Sequence, residues 1–258
     1  MNGKKHKTYR NETQFIEILQ WDSNFFNRRV AKVKNSLVIN KNMLEPFIQE
    51  INNEKINFFY YFQDTAITEN LALLFQNRII LIDIEIILVA NTMPYKIKNN
   101  IPFFDLLQSN FNNINLEPLY SMATDLAEKS RFYLDGNIEK SLVYKLYKKW
   151  IDNSLFGGMA DYFFILGTPS DPFSFVVYKK NGDDVATLTL ICSKKEMRGK
   201  GYGKEIIRKS FSFLSKDKIK HCYVKTQLSN LRAIKFYESL GFKINKSRFI
   251  FHWHKITG

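Results

Sequence analysis

The sequence predicts an α/β protein of two lobes, on three observations. Strand-type apolar runs alternate with runs of helical period along the chain from Phe15 to His254. A strand-type segment, Val185 to Ile191, feeds a loop with glycines at alternate positions, Gly199, Gly201 and Gly203, and an amphipathic helical run follows. An Asn- and Pro-bearing stretch, Met93 to Pro118, has neither period and reads as a connector. It divides an N-terminal α/β lobe with connector, residues 1–118, from a second domain, residues 119–258.

Taken in order, residues 1–12 are polar and basic and read as a frayed terminus. Phe15 to Leu19 reads as a strand, and Trp21-Asp22-Ser23-Asn24-Phe25-Phe26 as a turn or cap whose aromatics seek burial. Leu44, Phe47, Ile48 and Ile51 share one face of a helix over Met43 to Asn52. Ile56 to Phe62 is strand-type, Glu69 to Gln76 helical, and Ile79 to Ala90 a long strand, so the first lobe is a βαβαβ alternation. In the second domain, Ser130 to Gly136 leads into a helix over Glu139 to Leu155. Its stripe is Leu142, Val143, Leu146, Trp150 and Ile151, and Gly157-Gly158 ends it. Tyr162 to Leu166 and Ser174 to Lys179 are strands, and Asn181-Gly182 turns the chain into Val185 to Ile191. Beyond the glycine loop, Ile206, Ile207, Phe211 and Leu214 recur at helical spacing. His221 to Gln227 is a strand; Asn230 caps a helix with Ile234, Tyr237 and Leu240 on one face, and Gly241 closes it. Ser247 to His254 is the last strand. Its His252 and His254 lack a third ligand and read as exposed strand histidines, so no metal is expected.

A hydrophobic content of 45% over 258 residues is ample for a large core. No run approaches the ~18 unbroken apolar residues of a membrane helix; Ile79 to Ala90 is broken by Asp83 and Glu85. The N-terminus lacks the apolar segment of a signal peptide. Two cysteines, Cys192 and Cys222, suit free thiols in a reducing compartment. Cytoplasm is the expected location, with no membrane partner. The formal charge is +13, but the basic residues are scattered and no arginine-rich tail is present, which argues against nucleic acid. A solvated basic surface and a field for anionic small molecules both remain open.

The glycine loop carries the chemistry. Strand, glycine turn and helix bring main-chain N–H groups onto an anion at a helix N-terminus. Glycine lets the backbone come close and take positive φ, and Arg198, Lys200 and Lys204 add cationic charge. A P-loop is excluded, because Gly199 and Gly203-Lys204 are wrongly spaced and Glu205 follows. A dinucleotide fingerprint is excluded, because Lys204 stands where the third glycine belongs. The pattern that fits is [QR]-x-x-G-x-[GA], as Arg198, Gly201 and Gly203.

That pattern resembles the pyrophosphate loop of the GNAT acyl-CoA transferases. Downstream, Asn230, Ala233, Phe236, Tyr237, Glu238, Leu240, Gly241 and Phe242 match the family's second motif, N-x-x-A-x-x-[FL]-Y-[EK]-x-[LM]-G-F. Trp21 to Phe26, Ser130 to Phe132 and Leu146 to Ile151 are further similar to the bacterial dTDP-fucosamine N-acetyltransferases, over nearly the whole chain.

The resemblance implies a mixed, splayed central sheet flanked by helices, after a smaller N-terminal α/β lobe. It implies an acyl-CoA co-substrate, acetyl-CoA or a short hydroxyacyl-CoA, with its pyrophosphate on the main chain of Gly199, Lys200, Gly201, Tyr202, Gly203 and Lys204 beside Arg198. Its pantetheine would lie on the strand edge at Ile191, Cys192 and Ser193, and Asn230 would contact it or serve only as a cap. The acceptor would be a dTDP-linked amino-dideoxyhexose, with the amine at carbon 3 or 4, and Arg131, Phe132 and Tyr133 as candidates for its pocket. Direct attack by the amine needs a proton for the departing thiolate, a role that falls to Tyr237, whose alternative is packing. No residue matches a general base. The protein would act as a monomer or homodimer, in synthesis of a surface glycan such as lipopolysaccharide. Other amines (a protein lysine, an aminoglycoside) and a non-catalytic binding module are the competing readings.

Overall fold

The structure is a computed structural model that describes residues 13–95, 100–108 and 114–256; the stretch 1–12, expected to fray, lies outside the described residues. The chain forms two compact units, one of residues up to Leu81 together with Ile250 onward, the other Ile82–Phe249. This division falls inside a strand, not at residue 118. The reason is that Met93 to Pro118 contains structure of the second unit: a short strand, Phe103–Asp105, and the start of a helix, Leu116–Ala127. Pro118 sits in the first turn of that helix, where no N–H is needed, and Asn115 caps it by accepting from the Glu117 amide at 3.2 Å.

In the first unit, β1 (Ile16–Ile18) pairs antiparallel with β2 (Val30–Val33), and β2 pairs parallel with β3 (Phe58–Asp64). β2 is too short to stand out in sequence. The Trp21 to Phe26 segment is a helix, α1 (Gln20–Phe26), and not a turn. Ser23 bonds back to the Leu19 carbonyl through both its amide (2.8 Å) and its hydroxyl (2.7 Å), and Asn27, at φ 48°, ends the helix. Helices α2 (Lys41–Asn53) and α3 (Leu71–Gln76) complete the alternation. The last residues of the chain's final strand lie along β3 through stacked rings, Phe58 on His254 at 4.2 Å and Phe59 on Trp253 at 5.2 Å. His252, expected to be exposed, is fully buried edge-on to Phe58, because this end of the strand is covered by aromatics.

The second unit is a mixed sheet. From β4 (Ile80–Asn91) the order runs through β9 (His221–Gln227), β8 (Val185–Ser193), β7 (Asp171–Lys180) and β6 (Tyr162–Thr168) to β5 (Phe103–Asp105). β8 and β9 are parallel and the remaining pairs in this series antiparallel. Helices α4 (Leu116–Ala127), α5 (Arg131–Leu134) and α6 (Lys140–Phe156) precede β6. α7 (Tyr202–Lys216) and α8 (Leu231–Glu238) flank β9 in sequence, and β10 (Lys243–His254) follows. The core gathers Phe164, Tyr178, Leu188 and Val224 from the strands with Ile206, Phe211 and Ile234 from the helices.

The splay implied by the family resemblance is present. Pairing of β8 with β9 begins at Val185 opposite His221 and stops at Leu188 opposite Val224. β8 continues with β7 to Ser193, and β9 continues with β4 to Gln227, so the two strands part with their outer partners still attached. A bulge marks the point: Leu190 pairs with Val177 and Leu188 with Tyr178, which leaves Thr189 as the extra residue. Among the described residues, no helix is long and apolar enough to cross a membrane.

Phe164, fully buried, meets Phe103 at 5.0 Å, Phe213 at 5.1 Å and Tyr162 at 5.8 Å. Phe164→Ala should therefore lower stability by ~3–5 kcal/mol through the cavity it leaves, read as a shift in the chemical-denaturation midpoint with an unchanged slope.

Candidate active site

The glycine loop opens α7. Gly199 has φ 78° and Gly201 has φ 88°, the left-handed region, and Gly201 is the residue preceding the helix. Gly203 serves a different purpose, close helix packing: a Cβ there would stand 3.2 Å from the Phe236 ring of α8. At Gly199 and Gly201 a Cβ would meet nothing within 4 Å, so space is free above the loop. Among the described residues, no hydrogen bond takes up the main-chain N–H groups of Gly199 to Gly203. With a 15-residue helix behind them, these amides form an anion cradle.

The gap between β8 and β9 opens onto that cradle as one cavity of about 520 Å³, large enough for an extended ligand. Of the predicted site residues, Ile191, Cys192, Ser193, Arg198, Gly199, Gly201, Tyr202, Gly203, Lys204, Asn230 and Tyr237 line it. Asn230 also caps α8, its side chain accepting from the Ala233 amide at 3.3 Å. Lys200, in the same loop, is exposed and outside the lining.

Arg131, Phe132 and Tyr133 are not brought to the cavity. Ser130 caps this turn, its hydroxyl accepting from the Tyr133 amide at 3.2 Å. Phe132 is thereby turned into the core against Trp150 at 6.1 Å, and the Arg131 guanidinium lies 4.4 Å over the Phe132 ring. The triplet is a packing corner of α5 and α6.

Arg198, expected to add cationic charge beside the loop, has its guanidinium engaged within the protein. Its Nε donates to the Ser193 carbonyl at 3.0 Å, and its Nη2 pairs with Asp125 of α4 at 2.6 Å and lies 3.4 Å from the Cys192 sulfur. Asp125, Lys129 and Tyr147 come from α4, the turn after it and α6, and no spacing in the sequence links them to the loop. Lys129, Arg198, Lys204, Lys225 and Arg232 line the cavity against one carboxylate, Asp125, which is held by Arg198 and, at 2.9 Å, by Lys195.

Tyr237 projects from α8 and is 5% exposed. Burial, with the thiols of Cys222 and Cys192 nearby, holds its phenol far above the ordinary range, so it is protonated at neutral pH. Among the described residues its hydroxyl has no hydrogen-bond partner, and it remains available to the cavity. Burial also raises the Cys192 thiol, with Arg198 opposing, and pushes Tyr147 up to about 12.

Residues 123–242 match the model of the acetyltransferase (GNAT) family. The chain is 25% identical, over 58% of its length, to the spore coat polysaccharide biosynthesis protein SpsD of Bacillus subtilis; the match spans 51% of that protein. Its structure is similar to that of a functionally unknown conserved protein from Staphylococcus epidermidis, with a TM-score of 0.63 and 10% identity over 88% of this chain and 85% of that one. A GCN5-related N-acetyltransferase from Sphaerobacter thermophilus superposes with a TM-score of 0.56 and 9% identity, over 93% of this chain and 76% of that one. At such identities the structural matches establish a shared fold.

Burial pushes the Cys222 thiol from its ordinary 9.0 up to about 12. The folded chain keeps a proton that the unfolded chain releases in this window. The associated stability is therefore complete below pH 9.0 and lost as pH rises toward 12. The urea midpoint should hold to about pH 8.5 and fall by about pH 10.5. Both free thiols should react slowly with a disulfide reagent until the chain unfolds.

Proposed function

We propose, from the match of residues 123–242 to the GNAT family, that the chain is an acyl-CoA-dependent N-acyltransferase, acting on the amine of a nucleotide-linked amino sugar. One observation carries the reading: parted strands open directly onto a main-chain anion cradle, with a protonated tyrosine on the cavity wall. The residues present fit the co-substrate. The unclaimed amides of Gly199 to Gly203 suit a diphosphate. The edges of Leu190 to Cys192 and of Lys225 and Thr226, without a strand partner across the gap among the described residues, suit an extended arm with amide groups.

In this mechanism, the β8 edge and the loop hold the thioester so that the acceptor nitrogen reaches its carbonyl carbon. Strand N–H groups stabilise the charge that develops on the carbonyl oxygen. The C–N bond forms and the C–S bond breaks, the amine proton passes to water, and Tyr237 gives its proton to the departing sulfur and recovers it from solvent. The desolvation that raises the Cys192 thiol also raises the proton affinity of a thiolate released nearby, which favours this transfer.

The cavity charge bears on the acceptor. An ammonium group would meet Lys129, Lys204, Lys225 and Arg232 beside the Arg198–Asp125 pair, and among the described residues no other carboxylate lines the cavity to deprotonate it. This disfavours a lysine side chain or an aminoglycoside. It favours an acceptor that carries phosphate and whose amine is weakly basic. The B. subtilis relative, named for polysaccharide biosynthesis, points the same way.

Incubation with dTDP-amino sugars, a polylysine peptide and an aminoglycoside, each with acetyl-CoA and hydroxyacyl-CoA, tests this by mass spectrometry. Acylation of the nucleotide sugar alone is expected, and acylation of only the cationic acceptors would overturn the substrate class. Tyr237→Phe should lower kcat by ~10²-fold with CoA affinity kept; unchanged turnover would assign Tyr237 to packing.

A further inference from the structure

We propose that Asp125 is a positioning residue that holds the glycine loop in its anion-receiving shape; this rests on reading the cavity as an acyl-CoA site. The loop has little else to fix it. Two of its glycines stand at positive φ, nothing lies within 4 Å of their would-be Cβ positions, and its amides have no acceptor among the described residues. What anchors its entrance is one carboxylate on a different element. Asp125 Oδ2 takes Arg198 Nη2 at 2.6 Å and Oδ1 takes Lys195 Nζ at 2.9 Å, from the two ends of the turn that enters the loop. The Asp125 side chain is 15% exposed, whereas that of Lys195 is 71% exposed, so the Arg198 arm is the better shielded of the two.

The Arg198 fork also ties the loop to the parted strand, through Nε and the Ser193 carbonyl at 3.0 Å. One side chain thus fastens three pieces: α4, the end of β8 and the loop. With its guanidinium engaged, a diphosphate meets main-chain amides and Lys204, not a mobile arginine. Since Leu126 and Lys129 follow Asp125 in the cavity wall, the clamp sets the loop's distance from that wall as well.

The test compares the full chain with Asp125→Asn, Arg198→Lys and the double variant, by calorimetry with coenzyme A, each variant checked for an unchanged melting curve. Each single variant should raise Kd ~10-fold, the cost of a charged hydrogen bond. The double should be no worse than either, because both break one unit. In turnover, KM for acyl-CoA should rise with kcat kept within ~3-fold, and Asp125→Glu should restore part of the loss. Unchanged or tighter CoA binding, or additive losses, would overturn the clamp. Wild-type protein that binds no CoA would instead remove the functional reading. The clamp is then decided by amide hydrogen exchange at Met197 and Arg198, whose amides are hydrogen-bonded in the turn that enters the loop, in the free protein: faster by ~10-fold in Asp125→Asn if the carboxylate orders the turn and unchanged if it does not.

Discussion

The site depends on a hydrogen-bonding mismatch. Beyond Leu188 and Val224, β8 and β9 each keep one ladder partner and lose the other. Half the backbone groups of Leu190 to Cys192 and of Lys225 and Thr226 then face a cavity instead of a strand. An unmet buried amide costs about 1–3 kcal/mol, so the parting persists only because something overrides the ladder. The Thr189 bulge is that local cause. It adds one residue on β8, which bends the strand away from β9 while the Thr189 hydroxyl caps the Val177 carbonyl at 3.2 Å. The sheet has in effect a missing strand, and an extended molecule with amide groups is its natural complement.

The glycine loop follows from the same geometry. β8 leaves the sheet at Ser193 and the chain must re-enter as α7, so the helix N-terminus lies at the mouth of the gap. Gly203 lets the first turn of α7 press on Phe236 of α8, and α8 carries Tyr237. The packing that seats the cradle therefore also seats the phenol. In the proposed function, diphosphate recognition and proton donation would be linked through the α7–α8 contact and not through the chain between them.

How much of this was legible in sequence differs by residue. The strand-loop-helix and the second motif were readable because their constraints are local: positive φ at Gly199 and Gly201, the Asn230 cap, the face shared by Ile234 and Tyr237. The charge of Arg198 is legible in the sequence and its partner is not. Asp125 lies 73 residues upstream on a helix that the Pro118 punctuation concealed. Ser130 to Gly136 is legible only as a lead into a helix; the Ser130 cap and the inward direction of Phe132 are a matter of packing. The α1 helix was missed because Asp22 and Ser23 suit turns and helix starts alike.

The interior around Tyr237 bears on why the proposed reaction would need a proton donor there. Tyr237, Tyr178, Cys222 and Cys192 are all held neutral by burial, and the anion of Cys222 would further raise both tyrosines. Such surroundings oppose a negative charge wherever it forms, and a departing thiolate is one more such charge. Lys129, Lys204 and Arg232 belong to the polar lining of the gap rather than to the buried cluster around Tyr237. In the proposed reaction, neutralising the sulfur as it leaves would be the low-energy course, and the phenol whose hydroxyl has no partner among the described residues would be the group with a proton to give. The burial that makes Tyr237 a feeble acid in isolation would make a sulfur beside it a stronger base, and the difference between the two would govern the proposed transfer.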